Sequence, residues 1–269
     1  MASTRMPGNP AVRGKTQVIG VAAWLLGVVV VVAQILYSKA EPDDRLTTTV
    51  VSVAAFAAAS VCDAVARFGS RAAGLLVLVA GGGGLQAETV GVHTGYPFGT
   101  YGYSGTLGVE LVGVPVVVPL AWIMMSWPAL LVGRALAEPA RRWSVVAVGA
   151  WALVSWDVFL DPQMVDAGHW TWATPTPSLP GVTGVPLTNY AGWLLVAAAI
   201  VAALHAGVPD SRESGVRGVA LRVGPAPVLY LWTYGSSVWA HAVFFGRPWV
   251  SVVGGILMGA VAVPFAVAV

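Results

Sequence analysis

Residues Gln17 to Tyr37 read QVIGVAAWLLGVVVVVAQILY, and no charged residue falls between Lys15 and Lys39. The hydrocarbon core of a bilayer is about 30 Å thick and an α-helix rises about 1.5 Å per residue, so about 20 apolar residues cross it. This run has that length. The whole chain shares its character: of 269 residues 57% are hydrophobic and 10% charged, against roughly 25% charged in a soluble domain. Runs of similar length, bounded by charges or Gly/Pro clusters, predict further spans at Leu46–Ala66, Ala72–Val90, Leu111–Leu136, Trp143–Leu160, Leu187–His205, Ala226–Phe245 and Trp249–Val269. The expected fold is therefore an all-α, polytopic transmembrane bundle of about eight spans. It forms a single integral membrane domain over residues 1–269, placed in the cell membrane. The fourth span carries Pro115, Pro119 and Pro128 and is expected to be kinked or partly unwound. The single cysteine, Cys62, can form neither an internal disulfide nor a thiolate metal cluster.

Basic residues sort into alternate loops. Arg5, Arg13, Lys15, Arg67, Arg71, Arg134, Arg141, Arg142, Arg212, Arg217 and Arg222 fall on one side of the predicted membrane, and Lys39, Arg45 and Arg247 on the other. Because Lys and Arg collect in cytoplasmic loops, both termini are placed in the cytoplasm. Tyr37-Ser38-Lys39-Ala40 looks like a small-residue signal cleavage site, but the apolar run before it is longer than a signal core, so the first span is expected to stay. The basic residues make no stripe, which argues against nucleic acid as a partner.

Ionisable groups at membrane depth are costly and mark function by default. Half of the twelve acids fall in loops, and Asp63 has Arg67 at i+4 as an ion-pair partner. Glu88, Glu110, Asp157, Asp161 and Asp166 instead map to the outer half of the bundle. His93, His169, Tyr96, Tyr101, Tyr103, Trp170 and Trp172 map there too. They flank two outer loops, Gly91–Val109 and Asp161–Pro186, that contain no Lys or Arg. Each aromatic taken singly is an ordinary interfacial residue; the acids taken together point to a site. Asp157 and Asp161, spaced i, i+4, share one face of a helix expected to end before Pro162, about 6 Å apart. Helix direction separates the acids. Glu88, Asp157 and Asp161 sit at C-terminal helix ends, where the helix dipole and burial favour the neutral acid. Glu110 precedes the inward-running fourth span, where an N-terminus favours the carboxylate. Gly81-Gly82-Gly83-Gly84 permits close helix packing, and Gln34 and Asn189 can bridge helices.

Several chemistries fit poorly. No HxxxH or HxxHH box supports a di-iron centre, and no Gly-x-Ser-x-Gly elbow supports a hydrolase. Asp157-Val-Phe-Leu-Asp161 has a DxxxD spacing suited to magnesium and a diphosphate, yet a second such motif and loop cations to grip diphosphate are missing. Proton chemistry on an apolar substrate remains. A neutral carboxylic acid can protonate an alkene, aromatic faces can stabilise the tertiary cation, and a carboxylate such as Glu110 can take the proton from water.

At the outer loops the residues become familiar. His93-Thr94-Gly95-Tyr96-Pro97-Phe98-Gly99-Thr100-Tyr101-Gly102-Tyr103 resembles the H-T-G-x-P-F-G-x-Y-x-Y stretch of the membrane-embedded carotenoid biosynthesis protein family. Ser155-Trp156-Asp157-Val158-Phe159-Leu160-Asp161-Pro162-Gln163-Met164 with Gly168-His169-Trp170-Thr171-Trp172 resembles its second signature. Gly184-Val185-Pro186-Leu187-Thr188-Asn189-Tyr190-Ala191-Gly192-Trp193 resembles its third. The match runs from about Glu88 to Trp193. It implies carotenoid hydratase activity without a cofactor: addition of water across the terminal isopropylidene double bond of acyclic or C50 carotenoids such as bisanhydrobacterioruberin. Position and electrostatics then suggest Asp157 as first choice for the acid, Asp161 or Glu88 as its proton-sharing neighbour, and Glu110 as the base. His93, Tyr96, Phe98, Tyr101, Tyr103, Trp156, Trp170, Trp172 and Asn189 would contact the polyene, with no metal ligand among them. Expected partners are a carotenoid, the lipid bilayer and other carotenoid-pathway enzymes. The alternatives are a magnesium-dependent membrane prenyltransferase and a noncatalytic carotenoid-binding subunit.

Overall fold

The computed structural model describes residues 10–41, 44–137, 141–209 and 223–268, with side chains from Thr16 onward. Arg5, Arg212, Arg217 and Arg222, which carry much of the charge asymmetry, lie outside those residues. Eight helices occupy the eight predicted spans: α1 (Pro10–Tyr37), α2 (Arg45–Phe68), α3 (Ser70–Thr94), α4 (Val117–Leu136), α5 (Arg142–Asp166), α6 (Leu187–Gly207), α7 (Pro225–Val243) and α8 (Pro248–Ala268). Seven are long and apolar enough to cross a membrane; α7, which carries Thr233, Ser236, Ser237 and His241, is less apolar. The most apolar stretch of α4 is 83% buried and that of α1 only 22%, so α4 forms the axis of the bundle and α1 its rim. Around α4 pack α2, α5, α6, α7, α8 and the middle of α3.

Helix boundaries follow local chemistry. Gly69, at φ +85°, ends α2 with its N–H on the Val65 carbonyl at 2.9 Å and lets α3 start at the next residue. Within α3 the segment Val77–Gly82 is π-helical. The sequence GGGG begins there, and Gly81 and Gly84 bring α3 hard against Ile123 and Trp122 of α4. The glycines thus serve helix packing.

Two helix ends depart from the sequence reading. The fourth span does not begin at Leu111: residues before Val117 form a hairpin, β2 (Glu110–Leu111) against β3 (Val114–Pro115), and the helix starts two residues after Pro115. A proline supplies no N–H to a helix, so a segment led by Pro115 and Pro119 gains little from starting earlier. α5, conversely, runs through Pro162 to Asp166, where Ala167 caps it by donating to the Gln163 carbonyl at 3.1 Å. Asp166 then pairs with Arg247 in the turn before α8.

The two outer loops meet in a short ribbon, β1 (Tyr101–Tyr103) antiparallel to β4 (Trp170–Trp172), with Tyr101 opposite Trp172 and Tyr103 opposite Trp170. Side chains alternate across a strand, so Tyr101, Tyr103, Trp170 and Trp172 share one face. The Tyr101 and Trp172 rings stack at 5.8 Å, and Tyr103 meets Trp170 edge-on at 5.8 Å. Phe98 fastens this loop between α3 and α6. Gly91 and Gly192 leave the space: a Cβ on Gly91 would sit 2.6 Å from the Phe98 ring, and one on Gly192 would sit 2.7 Å from the Pro97 carbonyl oxygen. Gly192→Val should therefore cost about 1–3 kcal/mol by overpacking, seen as a lower melting temperature of the detergent-solubilised protein. Gly102→Ala, where a Cβ meets nothing within 4 Å, should stay within about 0.5 kcal/mol of wild type.

Candidate active site

Three acidic side chains converge beneath the aromatic face of the ribbon. Glu88 comes from the end of α3, and Asp157 and Asp161 from one face of the end of α5; they are 3%, 0% and 2% exposed. Asn189, at the start of α6, reaches across and donates from one amide nitrogen to Oδ2 of Asp157 at 3.1 Å and to Oδ2 of Asp161. The two carboxyl groups are also within hydrogen-bonding reach of each other. Oδ1 of Asp161 accepts from Trp170 Nε1 at 3.2 Å, whereas Oδ1 of Asp157 has no partner among the described residues.

Glu88 has a different environment. Its Oε2 accepts from the Tyr101 hydroxyl at 2.5 Å and the Tyr103 hydroxyl at 3.0 Å, and its Oε1 accepts from Trp122 Nε1 at 3.2 Å. Burial first, and then the adjacent Glu88 charge, push both phenols well above their ordinary range, so they remain O–H donors. Trp122 in turn lies flat on Trp193 of α6, with ring centroids 4.1 Å apart.

These groups wall a cavity of about 50 Å³. Glu88 and Asp161 line it with Phe98, Tyr101, Tyr103, Trp170, Trp172 and Asn189, and Trp193, Thr49 and Val53 complete it. Asp157 does not line it and lies behind Asp161. Of the α5 pair it is Asp161 that faces the cavity, with Asp157, the first choice for the acid, set behind it. Trp156 lines a larger adjoining cavity.

Three expected residues lie elsewhere. Glu110 is exposed on β2, paired through its backbone with Pro115, because the helix it was expected to precede begins only at Val117. The structure thus separates it from the other acids. His93 and Tyr96 are both exposed, and the His93 Nδ1 is engaged with the Thr89 carbonyl at 2.7 Å. Sequence reasoning missed Trp193, Thr49 and Val53 as wall residues and Trp122 as a donor to Glu88. Trp193 stood only as the last residue of the third signature, Trp122 was visible only as an apolar aromatic within a span, and the α2 pair carries no motif.

His169 supports the ribbon from its rim. Its backbone carbonyl accepts from Ser104 N–H at 3.0 Å and its Nδ1 meets Thr106 Oγ1 at 2.8 Å. Burial holds this imidazole below its ordinary value of 6.5. Below about that pH the unfolded chain binds the proton more readily than the folded one, so stability falls as pH drops until the folded imidazole also titrates. The melting temperature should accordingly fall between about pH 7 and about pH 5, and His169→Gln should lose part of that dependence. Asn189→Ala should destabilise the protein by about 1–3 kcal/mol by stripping two buried carboxyl groups of their common donor, measured by thermal denaturation in detergent.

Comparison with known proteins places this geometry in a context. The model of the family described as "Carotenoid biosynthesis protein" matches residues 45–262, which includes every wall residue of the cavity. Over 115 residues the chain is 36% identical to the bisanhydrobacterioruberin hydratase of Haloarcula japonica; the aligned part is 40% of this chain and 36% of that protein. No solved structure matches the chain.

Proposed function

The chain belongs to the carotenoid biosynthesis protein family, and on that premise we propose that it is a carotenoid hydratase of the cell membrane. It adds water across the terminal isopropylidene double bond of an acyclic or C50 carotenoid by acid catalysis, without a cofactor. The supporting observation is the pairing of Asp161 and Glu88 across a small aromatic cavity, with Asp157 hydrogen-bonded behind Asp161. Resemblance to a hydratase over part of its length points the same way.

Two adjacent carboxyl groups shielded from water do not readily carry two negative charges, so the Asp157–Asp161 pair retains a proton. Asp161 gives that proton to the less substituted alkene carbon. The tertiary cation that forms lies against the faces of Tyr101, Trp170 and Trp172, whose π-systems stabilise positive charge. Water adds to the cation, and its surplus proton passes to Glu88, which takes the base role expected of Glu110. Return of that proton from Glu88 to the Asp157–Asp161 pair restores the site, and the sum is alkene plus water to tertiary alcohol. The acid oxygens already accept N–H and O–H donors from Asn189, Trp170, Trp122 and two tyrosines, an arrangement suited to proton transfer more than to magnesium and a diphosphate.

Expression in a host that makes acyclic carotenoids, followed by chromatography and mass spectrometry, should show a gain of one water per reacted end. Asp161→Asn should lower product formation by about 10²–10⁴-fold while folded protein remains in the membrane. Full activity in that variant overturns the assignment. Pigment that copurifies unchanged indicates a noncatalytic binding protein, and a requirement for diphosphate substrate and divalent metal indicates prenyl transfer.

A further inference from the structure

A second cavity, about 520 Å³ in volume, lies between α1, α2, α5 and α7. Its walls are mainly apolar, with Ile35, Trp156, Phe159, Leu231 and Phe244 among them. Thr49, Val53, Leu160 and Met164 line both this cavity and the acid-lined one, so the two adjoin across a shared wall. Their sizes differ in kind. About 50 Å³ is of the order of one or two water-sized groups, enough for the end of a chain and no more. A long substrate whose tip reaches Asp161 has to place the rest of its length beyond that wall.

We propose that the larger cavity is a binding channel for the body of a long apolar chain whose reactive end occupies the acid-lined cavity. The identity of that chain as a polyene rests on the hydratase reading; the channel itself rests on the adjoining cavities. α7 is shaped for such a role. Among the eight described helices it is the one not apolar enough to count as a membrane span, and its polar side chains Thr233, Ser236 and Ser237 line the channel. Trp232 Nε1 is held by Gln34 Oε1 at 2.8 Å, which pins α7 to α1 at the channel wall. Thr233 is 3% exposed and its Oγ1 has no partner among the described residues. A buried hydroxyl without a partner is costly, and this one lies on the channel wall. Gly235 lines the channel as well, and a Cβ built on it meets nothing within 4 Å. A small side chain at Gly235 therefore displaces no neighbour, and a large one adds bulk at the channel wall.

That geometry supplies the test. Wild type, Gly235→Ala and Gly235→Phe are purified in detergent, matched by melting temperature, and compared with lycopene as the long probe and geraniol as a short probe with the same isopropylidene end. Gly235→Phe should weaken lycopene retention, read by its visible absorption after washing, by about tenfold or more. It should leave geraniol hydration unchanged, and Gly235→Ala should behave as wild type. Lycopene retention and hydration in Gly235→Phe equal to wild type overturn the channel while leaving the hydratase reading standing. If wild type hydrates neither probe, the hydratase reading fails, and lycopene retention alone still decides the channel. Should Gly235→Phe not fold, Ser236→Leu on the same wall replaces it with the same expected outcomes.

Discussion

The amide of Asn189, held between the carboxyl groups of Asp157 and Asp161, is the contact on which the site depends. It ties the start of α6 to the end of α5 through groups that would be costly to bury unpaired. Once these helix ends are joined, the loop between them has to return over them. The return brings Trp170 onto Asp161 and sets Trp172 beside Tyr101. Glu88 is fixed from the other side by donors from that same ribbon and from α4. Three acids from two helices thus become one site because α4, α6 and the ribbon together supply their donors.

The aromatic residues do two jobs with one set of atoms. Trp122 and Trp193 stack as packing between α4 and α6, and the Trp122 indole N–H also reaches Glu88. Tyr101 and Tyr103 close the ribbon against the bundle with their rings while their hydroxyls meet the same carboxylate oxygen. A wall assembled this way is apolar toward a hydrocarbon and polar only at a few fixed points, as small-molecule pockets usually are.

Much of the fold was legible because lipid imposes a simple rule: backbone groups must be satisfied within the span, so long apolar runs become helices. The Asp63–Arg67 pair and the common face of Asp157 and Asp161 followed from helix periodicity, and both are present. Where periodicity changed, sequence reading faltered. The Tyr-Gly-Tyr and Trp-Thr-Trp triplets carry a two-residue alternation, but at three residues each it is too short to stand out from loop sequence. Pairing across 71 residues, Tyr101 to Trp172, leaves no local trace. Glu110 was misplaced for a similar reason: a hydrophobic count extends a helix through Val112 and Val114, whereas Val112 is a non-glycine residue at positive φ in the turn of a hairpin. Pro162 was read as a terminus, yet α5 carries it with one further turn behind it.

The π-helical segment of α3 has an angular consequence. Each residue of an α-helix advances the chain by about 100° around the axis, and a π turn encloses one residue more than an α turn. Side chains before Val77 and after Gly82 therefore follow two different phases of one helix. The carboxylate of Glu88 owes its bearing toward Tyr101 and Trp122 to that offset. What has to be inherited intact is thus one surplus residue in Val77–Gly82 together with the wide turn that absorbs it, since the same residues wound as an unbroken α-helix would rotate the acid by about 100° away from its donors.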